Sequence, residues 1–125
     1  MSRVIISKDC GNSPKNIFLQ KMTIAFADRD IGYLLGGIVE DFRWERPGEL
    51  VIQGKDDFIQ VLKQLNRVKV EEVTILHALT HGKAGAVDGT QELSSGKSYA
   101  FCDIYEFSNA KGTKVKEIKS FLIEI

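Results

Sequence analysis

The sequence predicts an α+β domain with its helices first and its sheet after, and three observations carry that reading. Apolar residues recur at helical spacing after Ser13, Asp30 and Asp56. From Val70 onward, four runs rich in β-formers are separated by H-G-K, S-S-G-K and N-A-K-G-T, each a hairpin signal containing glycine. The order that follows is α-α-β-α-β-β-β-β, with three helices on one face of a curved antiparallel sheet.

Taken along the chain, Val4, Ile5 and Ile6 form a β-branched triplet suited to a short strand or an arm on a neighbour. Residues 1–12 are therefore expected to stand apart from a single domain over 13–125. Ser13-Pro14 reads as N-cap and first helical residue, because proline loses nothing where the N–H has no helical partner. Phe18, Leu19, Met22, Ala25 and Phe26 make the apolar stripe of that first helix, with Gln20, Lys21 and Thr23 largely off it. Asp30 can cap a second helix through about Val39. Gly32, Gly36 and Gly37 each cost it about 1 kcal/mol relative to alanine, so it is expected to be held by burial. Phe42 to Arg46 reads as a strand stopped by Pro47-Gly48, and Leu50 to Ile52 as a brief extended piece. Asp56 and Asp57 suit a helix start. Phe58, Val61, Leu62 and Leu65 give that third helix its buried face, and Asn66 its end. The remaining strands are expected over Val70 to Thr80, Gly85 to Leu93, Ser98 to Phe107 and Val115 to Ile125.

Composition narrows the function classes. The 125 residues suffice for one core without disulfide or metal staples. Seventeen basic residues balance seventeen acidic ones, so no net field draws the chain to nucleic acid or to an anionic membrane. The longest apolar run, Ile31 to Val39, is far short of a membrane span. Cys10 and Cys102 are too few and too distant for a zinc ribbon, and MSRVIISKDC has no signal-peptide core, so a cytoplasmic protein with free thiols is expected. His77 and His81 spell H-A-L-T-H, but strand residues four apart lie about 13 Å from each other. No metal and no cofactor is expected.

The candidate site is S-Y-A-F-C-D-I-Y-E-F, residues 98–107. On strand alternation Tyr99, Phe101, Asp103, Tyr105 and Phe107 share one face, so one carboxylate is set in an aromatic wall. Such surroundings disfavour its ionised form unless donors or a cation answer it. Trp44 and Arg46 share parity with Phe42 on the preceding strand, giving a possible indole wall and a guanidinium partner for Asp103 or for a ligand. His77 shares parity with Ile75 and Leu79 and reads either as a pocket residue or as a hydrogen-bonded core histidine. Cys102 falls on the face opposite Asp103.

From Ser13 to its end the chain resembles the nuclear transport factor 2-like superfamily, which includes SnoaL-like polyketide cyclases, ketosteroid isomerase and limonene-epoxide hydrolase. The carriers of the resemblance are A-D-R-D-I-G-Y-L-L-G-G-I-V-E-D-F-R-W-E-R-P-G, I-Q-G-K-D-D-F, and D-I-Y-E-F followed by a hairpin. The resemblance implies a cone-shaped, cystatin-like α+β barrel with a pocket between the concave sheet face and the helices. It also implies homodimers through the sheet's other face. Asp103 aligns with the isomerase's oxyanion-stabilising aspartic acid, whereas Arg46 stands at its general base and Met22 at its oxyanion tyrosine. The hydrolase's paired carboxylates have no match. Two functions are therefore expected of a pocket lined by Trp44, Arg46, Tyr99, Phe101, Tyr105 and His77. One is binding of a small apolar molecule. The other is cofactor-independent isomerase, cyclase or lyase chemistry with Asp103 as acid or base. A dimerisation module without a ligand is the third.

Overall fold

A computed structural model describes residues 1–65 and 68–125; Asn66, expected to end the third helix, lies outside them. The strands are β1 (Arg3–Ile6), β2 (Ile38–Arg46), β3 (Leu50–Gln53), β4 (Val70–His81), β5 (Ala84–Leu93), β6 (Ser98–Phe107) and β7 (Val115–Glu124). The helices are α1 (Pro14–Asp28), α2 (Ile31–Gly36) and α3 (Lys55–Leu65), with a 3₁₀ turn at Lys8–Cys10 before α1. All seven strands form one curved, unclosed sheet in the order β1-β4-β5-β6-β7-β2-β3.

The sheet is mixed, not wholly antiparallel. The meander β4 to β7 is antiparallel, but β1 joins β4, and β2 joins β7, in parallel. Neither could follow from hairpin turns, since parallel partners are distant in sequence. The β-branched triplet thus forms an edge strand of the chain's own sheet, with Val4 opposite Val73.

Local chemistry sets the helix ends. The Ser13 hydroxyl accepts from the Asn16 N–H, and Arg29 closes α1 in the left-handed region at φ 55°, its N–H donating to Ala25 and Phe26 carbonyls. Asp30 then accepts from Tyr33 N–H and starts α2. That helix ends at Gly36, earlier than expected, because Gly36-Gly37 interrupts it and the β-branched Ile38-Val39 begins β2. It is also less buried than expected, since a turn and a half presents one inward side chain, Leu34. Close approach explains one glycine of the three: a Cβ on Gly37 would stand 2.9 Å from Met22 Sδ.

The helices cover the sheet's inner face, α1 against β4 and β5, α3 against β2 and β3. Leu19, Met22, Leu34, Ile38, Phe42, Phe58, Leu62, Ile75, Val87, Phe107 and Ile118 fill the space between. Gln20 and Thr23 are buried too, contrary to the helical pattern. The segment before α1 folds over that flank, where Gln20 Nε2 donates to the Cys10 and Gly11 carbonyls, and Thr23 donates back to Leu19. No helix of the described residues is long and apolar enough to cross a membrane.

Candidate functional site

The inner face is filled only over part of its length. Toward the C-terminal end of α1 a cavity of about 470 Å³ remains, lined by residues of α1, α3 and strands β2 and β4 to β7. Its size is that of small-molecule sites. Trp44, Arg46, Tyr99, Phe101 and Asp103 all line it. Register produces this convergence. On β6 the alternation sends Tyr99, Phe101 and Asp103 inward, and β7 sets Ser120 beside Asp103 and Leu122 beside Phe101. On β2, Trp44 stands opposite Ile118, and its indole Nε1 donates to Ser120 Oγ at 2.9 Å. Phe26 of α1 packs on Trp44 at 6.0 Å, and Phe58 of α3 meets it edge-on at 5.7 Å. The indole is thereby fixed as a wall.

Asp103 is the sole carboxylate among the described lining residues, and no histidine joins it there. Protein surrounds it, while the cavity leaves part of its surface accessible. Burial pushes its carboxyl up to about 6, against the smaller opposing pulls of the Ser120 hydroxyl and the Arg46 charge. Arg46 is shared with the rim, where its Nη2 lies 2.9 Å from the half-exposed carboxylate of Glu49.

Two of the expected pocket residues lie elsewhere. Tyr105 is inward but sits behind the cavity in the filled core, 1% exposed. Its Oη makes no hydrogen bond of good geometry, although the Thr23 hydroxyl, which donates to Leu19 and can still accept, lies close enough to oppose the rise in its pKa. Burial, with the Asp103 charge second, drives its phenol well above the ordinary value. His77 is on the outer face, more than half exposed, with Nδ1 2.8 Å from Asp88 Oδ1. The reason is a bulge. Register shifts between Ile75 and His77, where Ser7 caps the end of the β1 pairing by donating to the Ile75 and Leu76 carbonyls. One extra residue reverses the parity beyond it, so Ile75 and Ala78 point inward and His77 and Leu79 outward. Cys102 is half-buried on the outer face, its thiol raised first by burial and then by the charges of Asp103 and Asp88. Among the described residues no group of three or more His, Cys, Asp or Glu side chains is placed to hold a metal.

The cavity also contains residues to which the sequence reading gave no site role: Thr23, Phe26, Arg29, Gln64, Gln91 and Ser120. Ser120 was legible from parity, being two residues from Leu122 on the last strand. Arg29 carried no such signal.

No family model and no curated protein matches this chain. Solved structures do. An LEH-like epoxide hydrolase of M. tuberculosis superposes with a TM-score of 0.70 at 19% identity over 84% of this chain and 79% of its own. A protein assigned as a SnoaL-like polyketide cyclase from Shewanella putrefaciens gives 0.75 at 12% identity, over 90% and 91%. A protein of unknown function from Cytophaga hutchinsonii, itself described as like nuclear transport factor 2, gives 0.66 at 20% identity, over 86% and 97%. The chain has the nuclear transport factor 2-like fold. Within that fold, Met22, which the resemblance aligns with the isomerase's tyrosine, is fully buried and is not among the cavity's lining residues.

Proposed function

We propose that this nuclear transport factor 2-like chain binds a small, mostly apolar molecule in the cavity between sheet and helices, oriented by Asp103. The observation that carries the reading is a lone inward carboxyl in a cavity walled by Phe26, Trp44, Tyr99 and Phe101. An apolar enclosure with one fixed polar point is the usual construction of a site that orients a ligand. Crystals grown from protein purified without added ligand test it. The expected result is density for an organic molecule beside Asp103; aromatic side chains collapsed into the space would count against it.

One observation favours a catalytic extension of the same site. A carboxyl with its pKa near 6 can give and take a proton close to neutral pH, as a cofactor-independent isomerase, cyclase or lyase requires. The names borne by the similar structures, a cyclase and an epoxide hydrolase, are compatible with such chemistry. The lining offers no second acid or histidine, which favours binding over turnover.

The outer sheet face supports a proposed homodimer. Leu79, Ile104, Phe121 and Ile123 are exposed there, and several exposed apolar side chains on one sheet face suit cover by a second copy. Light scattering at micromolar concentration is expected to give twice the chain mass; a monomer would contradict it.

A further inference from the structure

Among the described residues three charged side chains line the cavity, and of its two arginines only Arg29 has no carboxylate partner. Asp103 feels the charge of Arg46 without a direct ion pair, and Arg46 pairs with Glu49. Arg29 has no carboxylate within ion-pairing distance among the described residues, and neither of the two undescribed residues is acidic. Its flanking acids are engaged elsewhere, Asp28 accepting from the Ser2 N–H and Asp30 capping α2. The Arg29 guanidinium is folded in against the end of α1, where Nη1 donates to the Phe26 carbonyl at 2.6 Å and Nε is buried with no acceptor. Burial also draws its pKa down. Local structure does not ask for arginine here. The position is left-handed, φ 55° and ψ 41°, where glycine or asparagine is favoured.

A half-buried cation without a carboxylate partner, at the wall of a largely apolar cavity, favours an anion that can come to it. With Nη1 committed to a carbonyl and Nε enclosed by protein, what Arg29 offers the cavity is its charge, which a carboxylate answers directly. We infer that the ligand of this cavity carries a carboxylate received by Arg29 at the α1 end, with its apolar body against Phe26, Trp44 and Phe101. The inference rests on the binding function proposed above and gives its ligand a chemical class. Asp103 then contributes selectivity, because an anion must be oriented with its charge away from that side of the cavity.

The test uses two probes that differ in charge at nearly constant shape, 2-naphthylacetate and 2-naphthylacetamide, titrated calorimetrically into the whole protein at pH 8. The carboxylate is expected to bind about tenfold more tightly than the amide. Arg29→Asn, whose new side chain tolerates the left-handed backbone, is expected to bring that ratio close to one. If Arg29→Asn does not fold, Arg29→Gln, which removes the charge and keeps most of the side chain's length, is expected to lower the ratio in the same way. Equal binding of the two probes by the unaltered protein would overturn the Arg29 assignment and leave the cavity function standing. A preference that persists in Arg29→Asn, or that disappears in Arg46→Gln in its place, would also overturn it. If neither probe binds at millimolar concentration, the cavity function itself falls, and this inference with it.

Discussion

Phe101 and Phe107 stand on the same strand and the same face, yet they meet opposite surroundings. Phe107 is 1% exposed, tilted against Phe18 of α1 at 6.0 Å. Phe101 forms part of a cavity wall with Asp103 beside it. Every long strand divides in the same way: Phe42 against Trp44 on β2, Val87 against Gln91 on β5, Ile118 against Ser120 on β7. Alternation decides which side chains point inward. Whether they then find a packed core or an open cavity depends on how far α1 and α3 extend over the sheet. The polar inward residues gather where cover is incomplete, as the cost of burying them unpaired requires.

The sharpest break of this comparison is to truncate each phenylalanine. Phe107→Ala should cost about 4 kcal/mol, since its well-packed neighbours cannot close the hole. Denaturant unfolding measures it, and equal losses at Phe107 and Phe101 would mean that the two halves are equally packed. Asp103 gives the next largest effect. Its carboxyl is raised from 3.8 to about 6 in the folded protein, so the fold holds that proton more tightly than the unfolded chain does. The contribution is fully present below about pH 3.8 and is lost as pH rises through 6, by about 2 to 3 kcal/mol. Asp103→Asn should therefore stabilise the protein by about 2 kcal/mol at pH 8 and leave it unchanged near pH 4. Paired melting curves at the two pH values check both sign and size. Phe101→Ala, already facing open space on one side, should cost about 2 kcal/mol or less. Smallest of all is Tyr105→Phe at the boundary of the two halves, where removing an unpartnered buried hydroxyl should be neutral or stabilising by up to about 1 kcal/mol.

What the sequence disclosed follows the range of the forces involved. The inward set of β6 was readable because alternation is local and the strand runs unbroken from Ser98 to Phe107. His77 was misplaced because the bulge before it answers to β1, some seventy residues away, and not to its own neighbours. The buried Gln20 depends likewise on a segment folding back over α1. Parallel pairing of β2 with β7 joins residues that no turn connects, so hairpin signals could not reveal it. Arg29 falls between the apolar stripe of the first helix and the Asp30 cap of the second. Only the end of α1 against the open half of the sheet makes it part of a site.

The account's central claim is that Asp103 is an anchor for ligand and not a prop for the fold. Asp103→Asn separates the two, because asparagine keeps the shape and removes the charge. The deciding measurement is the affinity of 2-naphthylacetamide for the unaltered protein and for Asp103→Asn at pH 8, taken alongside their melting temperatures. A change in affinity of about tenfold or more, with melting at the same or a higher temperature, is the predicted result. A variant that melts much earlier, by the equivalent of about 3 kcal/mol, yet binds the probe as before, would contradict it.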